Sequence, residues 1–148
     1  MKSVEALDVK LYPGFVSVRA GDREITRYHF LGTWKPYFWP LMGPYGNVVR
    51  GASGGHQHQT GLFLAYGGHG GESGPTNIWS DWDEPPYGVC GKMLHVGFDC
   101  VEGGEDGARI VERVLYVNGE GGTILKEVRE MRILALPEGE CFVDWQRT

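Results

Sequence analysis

The residues best suited to chemistry lie in one glycine-rich segment, which contains two histidines two positions apart. The segment reads Gly54-Gly55-His56-Gln57-His58-Gln59-Thr60-Gly61-Leu62. In an extended chain alternate side chains share a face, so we expect His56 and His58 to point to the same side. Two imidazoles on one face can share a metal ion, or they can hydrogen-bond adjacent hydroxyls of a sugar while one donates a proton. A purely structural role, holding the neighbouring loop, is the remaining interpretation.

A third histidine, His95, extends both chemical hypotheses. The strand predicted at 92–102 has an apolar face with Leu94, Val96, Phe98 and Cys100. His95 lies on the other, less apolar face, where it either packs or converges with His56 and His58. We take all three as candidate catalytic residues. Our leading expectation needs no cofactor, and the alternative is a divalent metal held by the three histidines. A cupin-like metal site would carry a glutamate shortly after the paired histidines, and the residues that follow His58 supply none.

Charged and aromatic side chains supply candidate contacts to a polar ligand. Trp79 is either a stacking platform for a sugar ring or part of the core, whereas we predict core positions for Trp34 and Phe38. A charged residue taken alone is most often a solvated surface residue. The charged residues most suited to face a polar pocket are Lys35, Arg50, Asp81 and Glu127.

The elements that must position these residues are predicted to be strands. The 148 residues include 24 glycines, and 41% are hydrophobic and 12% aromatic, a composition typical of a turn-rich all-β protein. Residues 15–19 and 24–30 predict a hairpin around Gly21-Asp22. Residues 92–102, 109–117, 123–136 and 141–147 predict an antiparallel meander. Between these two parts we expect short strands at 48–50 and 62–66 and a loop at 67–75.

These elements predict an antiparallel β-sandwich. The sequence stops at Thr148 inside a predicted strand, which would leave an open sheet edge of the kind that β-proteins usually cover. We therefore expect residues 1–148 to be either a single sandwich domain or the N-terminal part of a larger one. In the first case a second copy of the chain is the partner that would cover the edge.

Charge and composition exclude several classes of protein. Fourteen Lys and Arg against 19 Asp and Glu give a net charge of −5 without a basic block, which argues against a nucleic-acid partner. No apolar run reaches the roughly 20 residues of a membrane span, and the first residues lack the apolar core of a secretory signal. Three cysteines without CxxC spacing are typical of a reduced, cytoplasmic protein.

Three motifs in order resemble the PmoA-like family, bacterial proteins that carry the label "methane oxygenase PmoA". The motifs are Lys35-Pro36-Tyr37-Phe38-Trp39-Pro40-Leu41, His56-Gln57-His58-Gln59-Thr60-Gly61-Leu62 and Gly91-Lys92-Met93-Leu94-His95. The chain departs from the family pattern at Trp39 and Gln59, where members have histidine, and at Thr60, where they have arginine. The family label implies a membrane-embedded copper enzyme, whereas nothing in this sequence could span a bilayer.

The resemblance implies the N-terminal half of a supersandwich similar to galactose mutarotase, with a role in bacterial carbohydrate catabolism. A mutarotase- or epimerase-like mechanism would use His58 or His95 to donate a proton to the ring oxygen of a sugar. Our leading hypothesis is therefore a protein that binds or processes a sugar or a sugar-derived small molecule. A metal-dependent oxygenase or isomerase with three histidines is the first alternative, and a non-catalytic carbohydrate-binding module built on Trp79 is the second.

Overall fold

The computed structural model describes residues 4–52, 57–65, 69–71, 74–83 and 88–148, and almost all of its regular structure is β-strand. The first sheet has six strands in the order β1-β2-β3-β4-β5, with β6 also paired to β4. The strands are β1 (Asp8–Tyr12), β2 (Phe15–Ala20), β3 (Arg23–His29), β4 (Tyr37–Gly43), β5 (Gly46–Asn47) and β6 (Leu62–Phe63). The predicted hairpin is β2–β3, and its turn places Gly21 at φ 53°, a left-handed conformation that glycine adopts without steric cost.

The predicted meander forms a second antiparallel sheet in the order β10-β11-β12-β13. A small sheet, β7-β8-β9, lies between the two along the chain. Its strands are β7 (His69–Gly71), β8 (Gly74–Asn77) and β9 (Val89–Cys90). The meander strands are β10 (Lys92–Gly104), β11 (Gly107–Val117), β12 (Thr123–Ala135) and β13 (Cys141–Arg147). Each of these four lies within a few residues of its predicted bounds.

The two large sheets bury one shared hydrophobic core, which confirms the all-β sandwich. Inward side chains of β2, β3 and β4 meet inward side chains of β11 and β12. The fully buried members of this cluster are Val16, Val18, Ile25, Tyr28, Phe38, Ile110, Met131, Ile133 and Ala135. Burial of these apolar side chains is the main source of the free energy that holds the sheets together.

The middle of the chain differs from its prediction. Residues 48–50 form no strand, and the strand predicted at 62–66 is only two residues long. The predicted loop at 67–75 includes β7 and part of β8. Glycine- and proline-rich strands such as these carry a weak pattern, because they have few side chains whose alternation could be detected.

Strand β10 also buries a different face from the one predicted. Its apolar face was expected to include Leu94 and Val96, yet these are 41% and 50% exposed while Met93 is buried. Register shifts just before Gly97 and just after Phe98 interrupt the pairing with β11. Each β-bulge adds a residue to β10 and so reverses which side chains point inward. Before the first bulge the odd-numbered Met93 points inward, whereas after it the even-numbered Phe98 packs against the core.

The described part of the chain contains no helix that is long and apolar enough to cross a membrane. All three cysteines, Cys90, Cys100 and Cys141, are free thiols.

Candidate functional site

A cleft of about 480 Å³ brings together several polar and aromatic side chains from the segments before β4 and β6 and from the first residues of β4 and β10. We call it the Lys35 cleft. Its lining includes Thr33, Trp34, Lys35, Tyr37, Gln57, His58, Thr60 and Lys92. Two residues that were predicted as site residues, Lys35 and His58, therefore lie in one cleft.

Local hydrogen bonds hold the walls of this cleft. The Thr33 hydroxyl donates to the Lys35 carbonyl at 2.9 Å, and the Met93 amide donates to the Trp34 carbonyl at 2.7 Å, which ties this wall to β10. On the other wall the Thr60 hydroxyl donates to the Gln57 carbonyl at 2.7 Å. This bond closes a single 3₁₀ turn at Gln57–Gln59.

Gly61 allows the 3₁₀ turn to lie directly against β4. Its φ is +76°, and a Cβ at this position would overlap the carbonyl oxygen of Phe38. Its amide donates to the Arg50 carbonyl at 2.7 Å. Only glycine combines this backbone conformation with so close an approach.

Lys35 is the electrostatic centre of the cleft. The residue is only 1% exposed, and its ammonium group donates to the Trp79 carbonyl at 2.9 Å. The Nζ atom lies 3.4 Å from the ring centroid of Phe63 and 5.2 Å from that of Trp34. Burial lowers the pKa of Lys35 to about 7, although the negative charge of Asp81 partly opposes this shift. The amine can therefore both donate and accept a proton near neutral pH.

His58 is buried beside the same aromatic cluster. Its ring centroid lies 4.6 Å from that of Trp82 and 6.2 Å from that of Trp79, both in edge-on geometry. Trp79 is 41% exposed and also contacts Phe63. The rings of Phe63, Trp79 and Trp82 thus contact Lys35 or His58 without being among the residues that line the cleft.

Other predicted site residues lie outside the Lys35 cleft. Arg50 and Asp81 are exposed and do not line it, although Asp81 acts on Lys35 through its charge. His56 lies outside the described residues. The prediction that His56 and His58 share a face assumed an extended chain, whereas His58 lies in the 3₁₀ turn, where side chains do not alternate.

Glu127, which was predicted to face a polar pocket, is 5% exposed and lines none of the clefts described here; it belongs to a buried network between the sheets. The network comprises Tyr28, His95, Glu112, Tyr116, Glu127 and Arg129. Arg129 Nε donates to Glu127 at 2.8 Å and lies 3.8 Å from Glu112. Its two terminal nitrogens donate to the hydroxyls of Tyr28, at 3.1 Å, and Tyr116, at 3.3 Å. Every carboxylate that the sheets bury here therefore has a cationic or hydroxyl partner.

Neighbouring groups decide the charge states within this network. Burial alone would lower the pKa of Arg129, but attraction to the oxygens of Tyr28, Glu127 and Glu112 outweighs it and raises that pKa. Burial and the charge of Glu112 raise the pKa of Tyr28 well above its usual value. Tyr28 therefore stays a neutral phenol, and it donates its hydroxyl proton to Glu112.

His95 links this network to a second, apolar groove. Its Nδ1 lies 2.6 Å from Oε1 of Glu112. The groove has a volume of about 410 Å³ and is lined by Leu11, Tyr12, Pro13, Phe30, His95 and Phe98. We call it the His95 groove. His58 and His95 thus line separate clefts, and the structure does not bring them together.

Two other arrangements are weaker candidates for a functional site. A cleft of about 590 Å³ lies at the opposite end of the meander, but its basic residues Arg109 and Arg132 both pair with Glu130. Among the described residues, no group of three or more His, Cys, Asp or Glu side chains could hold a metal ion. A three-histidine metal site would need His56, which the description does not include, together with two histidines that lie in different clefts.

Sequence reasoning did not identify Arg129, Tyr28 and Glu112. A signal was present, because Arg129 follows the alternation that places Met131 and Ile133 inside the sandwich. A charged residue at an inward position of a buried strand indicates a buried partner on a facing or neighbouring strand. Which residue provides it depends on the packing of the sheets.

Comparison with known proteins gives one match. Residues 15–148 match the model of DUF6807, a family of unknown function. No curated protein and no solved structure matches the chain. Because the family match covers most of the chain, the protein belongs to the DUF6807 family, whose function is unknown.

Proposed function

We propose that this protein binds a sugar or a sugar-derived small molecule in the Lys35 cleft. The observation that carries the proposal is the convergence of amines, a hydroxyl and aromatic rings around one cleft of about 480 Å³. This volume lies within the usual range of small-molecule sites. Sugars present hydroxyls to hydrogen-bonding groups and C–H faces to aromatic rings, and this lining offers both.

The individual groups suggest how a sugar would be held. Trp34 and Tyr37 supply aromatic surface, and the exposed amine of Lys92 can donate to hydroxyls. Lys35 has a pKa of about 7 as a result of burial, so it can exchange a proton with a ligand hydroxyl. Such an exchange is the elementary step of ring opening, and the proposal therefore extends to a mutarotase- or epimerase-like activity. The PmoA-like resemblance points in the same direction, and the free cysteines suit a cytoplasmic location.

Calorimetric titration with monosaccharides tests binding. We expect one or more ring sugars to bind, and Lys35→Met to weaken that binding by about 10-fold, the loss typical of one hydrogen bond to a charged or polar group. The control is Lys126→Met, which removes an exposed amine from a residue outside the cleft. Equal affinity in Lys35→Met and Lys126→Met would contradict the proposed site.

A second measurement separates binding from processing. The rate of exchange between the two anomers of a bound sugar can be followed by NMR with the unaltered protein. Acceleration that is lost in Lys35→Met supports catalysis, whereas binding without acceleration supports a carbohydrate-binding module.

A further inference from the structure

The His95 groove combines an apolar surface with one oriented imidazole. Phe30 and Phe98 contact the His95 ring at centroid distances of 4.5 and 4.4 Å. Leu11, Tyr12 and Pro13, from the β1–β2 hairpin, complete the lining. Such a surface favours a flat, mostly apolar molecule, because aromatic walls stack on flat faces and offer few polar partners.

The imidazole is oriented by the buried network behind it. Glu112 is fully buried, and its Oε1 lies 2.6 Å from His95 Nδ1. The second oxygen of Glu112 accepts a hydrogen bond from Tyr28, which in turn accepts one from Arg129. A carboxylate in this position holds the proton on Nδ1 and leaves the lone pair on Nε2.

The other ring nitrogen of His95, Nε2, is the end of this chain of hydrogen-bonded groups. Among the described residues His95 makes its only hydrogen bond through Nδ1, and the ring lines the groove with 13% of its side chain exposed. A histidine that is hydrogen-bonded to a carboxylate through one nitrogen can act as a general base through the other, because the carboxylate stabilises the imidazolium that forms.

We propose that the His95 groove is a second ligand site, which binds a phenol and removes the proton of its hydroxyl. The ligand O–H bond breaks, and the proton forms a new bond to Nε2. The products are a bound phenolate and an imidazolium paired with Glu112. Glu112 acts as a positioning residue through His95, and no other reactant is needed. This site is distinct from the Lys35 cleft and does not depend on the proposed function.

The test uses two coloured probes of nearly equal shape, 4-nitrophenol and its methyl ether 4-nitroanisole. They are titrated into the full chain at a pH where free 4-nitrophenol is mostly protonated. We expect the phenol to bind about 10- to 100-fold more tightly than the ether, the range for one hydrogen bond that gains charge. We also expect the absorption band of the phenolate to appear on binding.

Three variants locate the effect. His95→Phe keeps a ring in the groove and should abolish both the preference for the phenol and the phenolate band. Val96→Phe places the same side chain on the exposed neighbouring residue and should change neither. Glu112→Gln should reduce the fraction of bound probe in the phenolate form, a spectroscopic change that a loss of packing alone would not produce.

The outcomes are decisive in either direction. Equal affinity for phenol and ether, no binding of either probe, or a phenolate band that persists in His95→Phe would overturn the proposal. If His95→Phe does not fold, the comparison of the phenol and the ether on the unaltered protein still decides it.

Discussion

Lys35 shows how burial changes the chemistry of a single residue. Its amine lies against Phe63 and donates to the Trp79 carbonyl, and almost none of it reaches solvent. Removing the ammonium form from water is unfavourable, so burial lowers the pKa of Lys35 from its usual 10.5 to about 7. The same loss of solvation makes the charged form of Lys35 costly for the fold.

This shift predicts a pH dependence of stability. Between about pH 7 and pH 10.5 the unfolded chain holds a proton on Lys35 that the folded chain has lost, so the free energy of unfolding should rise with pH across this window. Below about pH 7 both states are protonated, and the folded state carries the full cost of the buried ammonium. Lys35→Met should remove this rise and be the more stable protein at low pH.

Urea unfolding of both proteins at several pH values between about 6 and 10 measures the effect. Lys126→Met, which removes an exposed lysine, should keep the slope of the unaltered protein. A slope that persists in Lys35→Met would show that another group causes it.

Arg129 illustrates the opposite case, a buried charge that its neighbours stabilise. Replacing it by Met would leave the carboxylates of Glu112 and Glu127 without their cation, and we expect a loss of about 3–5 kcal/mol in the free energy of unfolding. Arg132→Met on the same strand removes an exposed ion pair with Glu130 and should cost at most about 1 kcal/mol. Urea unfolding compares the two variants, and equal losses would refute a stabilising role for the buried network.

At the scale of elements, the Lys35 cleft depends on a short turn and on the first residues of β10. The 3₁₀ turn at Gln57–Gln59 carries His58, and Gly61 joins that turn to β6. Alternation along β10 places Leu94 in the lining of the Lys35 cleft and His95 in the lining of the His95 groove. Neighbouring residues of one strand therefore line two different sites.

The role of Gly61 can be tested against a second glycine. Gly61 and Gly121 have similar φ values, +76° and +86°, but a Cβ would meet the Phe38 carbonyl only at Gly61, since the space around Gly121 is open. Gly121→Ala should cost about 1–2 kcal/mol from the left-handed backbone alone. Gly61→Ala should lower the free energy of unfolding by clearly more, because β4 and the 3₁₀ turn must move apart to make room for the Cβ.

Thermal or urea unfolding gives both values, and sugar titration of the folded Gly61→Ala protein shows whether the cleft moves with the turn. Equal losses of stability in Gly61→Ala and Gly121→Ala would mean that the close approach of Gly61 to β4 does not contribute to the effect.

At the scale of the whole molecule, the two large sheets are coupled through one core. Ile25 from the first sheet and Ile133 from the second are both fully buried in the same cluster. The Arg129 network also crosses between the sheets, through Tyr28 on one side and Glu112 on the other. A shared core and shared polar contacts should make the sheets unfold together.

We therefore expect Ile25→Ala and Ile133→Ala each to lower stability by about 2–5 kcal/mol while a single transition is kept. Far-ultraviolet circular dichroism and tryptophan fluorescence should report the same midpoint in each variant. Ile124→Ala, at a partly exposed position of β12, is the control with a smaller loss. Two separate transitions would show that the sheets fold independently.

The sequence by itself determined the sandwich and most of its large strands. Strong alternation in residues 15–30 and 92–147 placed β2, β3 and β10–β13 close to their observed bounds, because a half-buried strand requires a period of two. It also selected Lys35 and His58, since a lysine among aromatics and a histidine among glycines are poor candidates for a hydrophobic core. Where glycine and proline dominate, no such period exists, and the small sheet was missed.

Only the tertiary structure decided which of the candidate residues meet. The bulges of β10 reverse an alternation that the sequence shows as regular, and the packing of the chain places His58 and His95 in the linings of separate clefts. The packing of the two sheets separates Glu112 and Glu127 from solvent. This packing brings together residues that are far apart in the chain. The alternation of neighbouring residues specifies the strands, because the backbone geometry of a strand is local. The pairing of buried charges and the shapes of the clefts depend instead on how the two sheets pack.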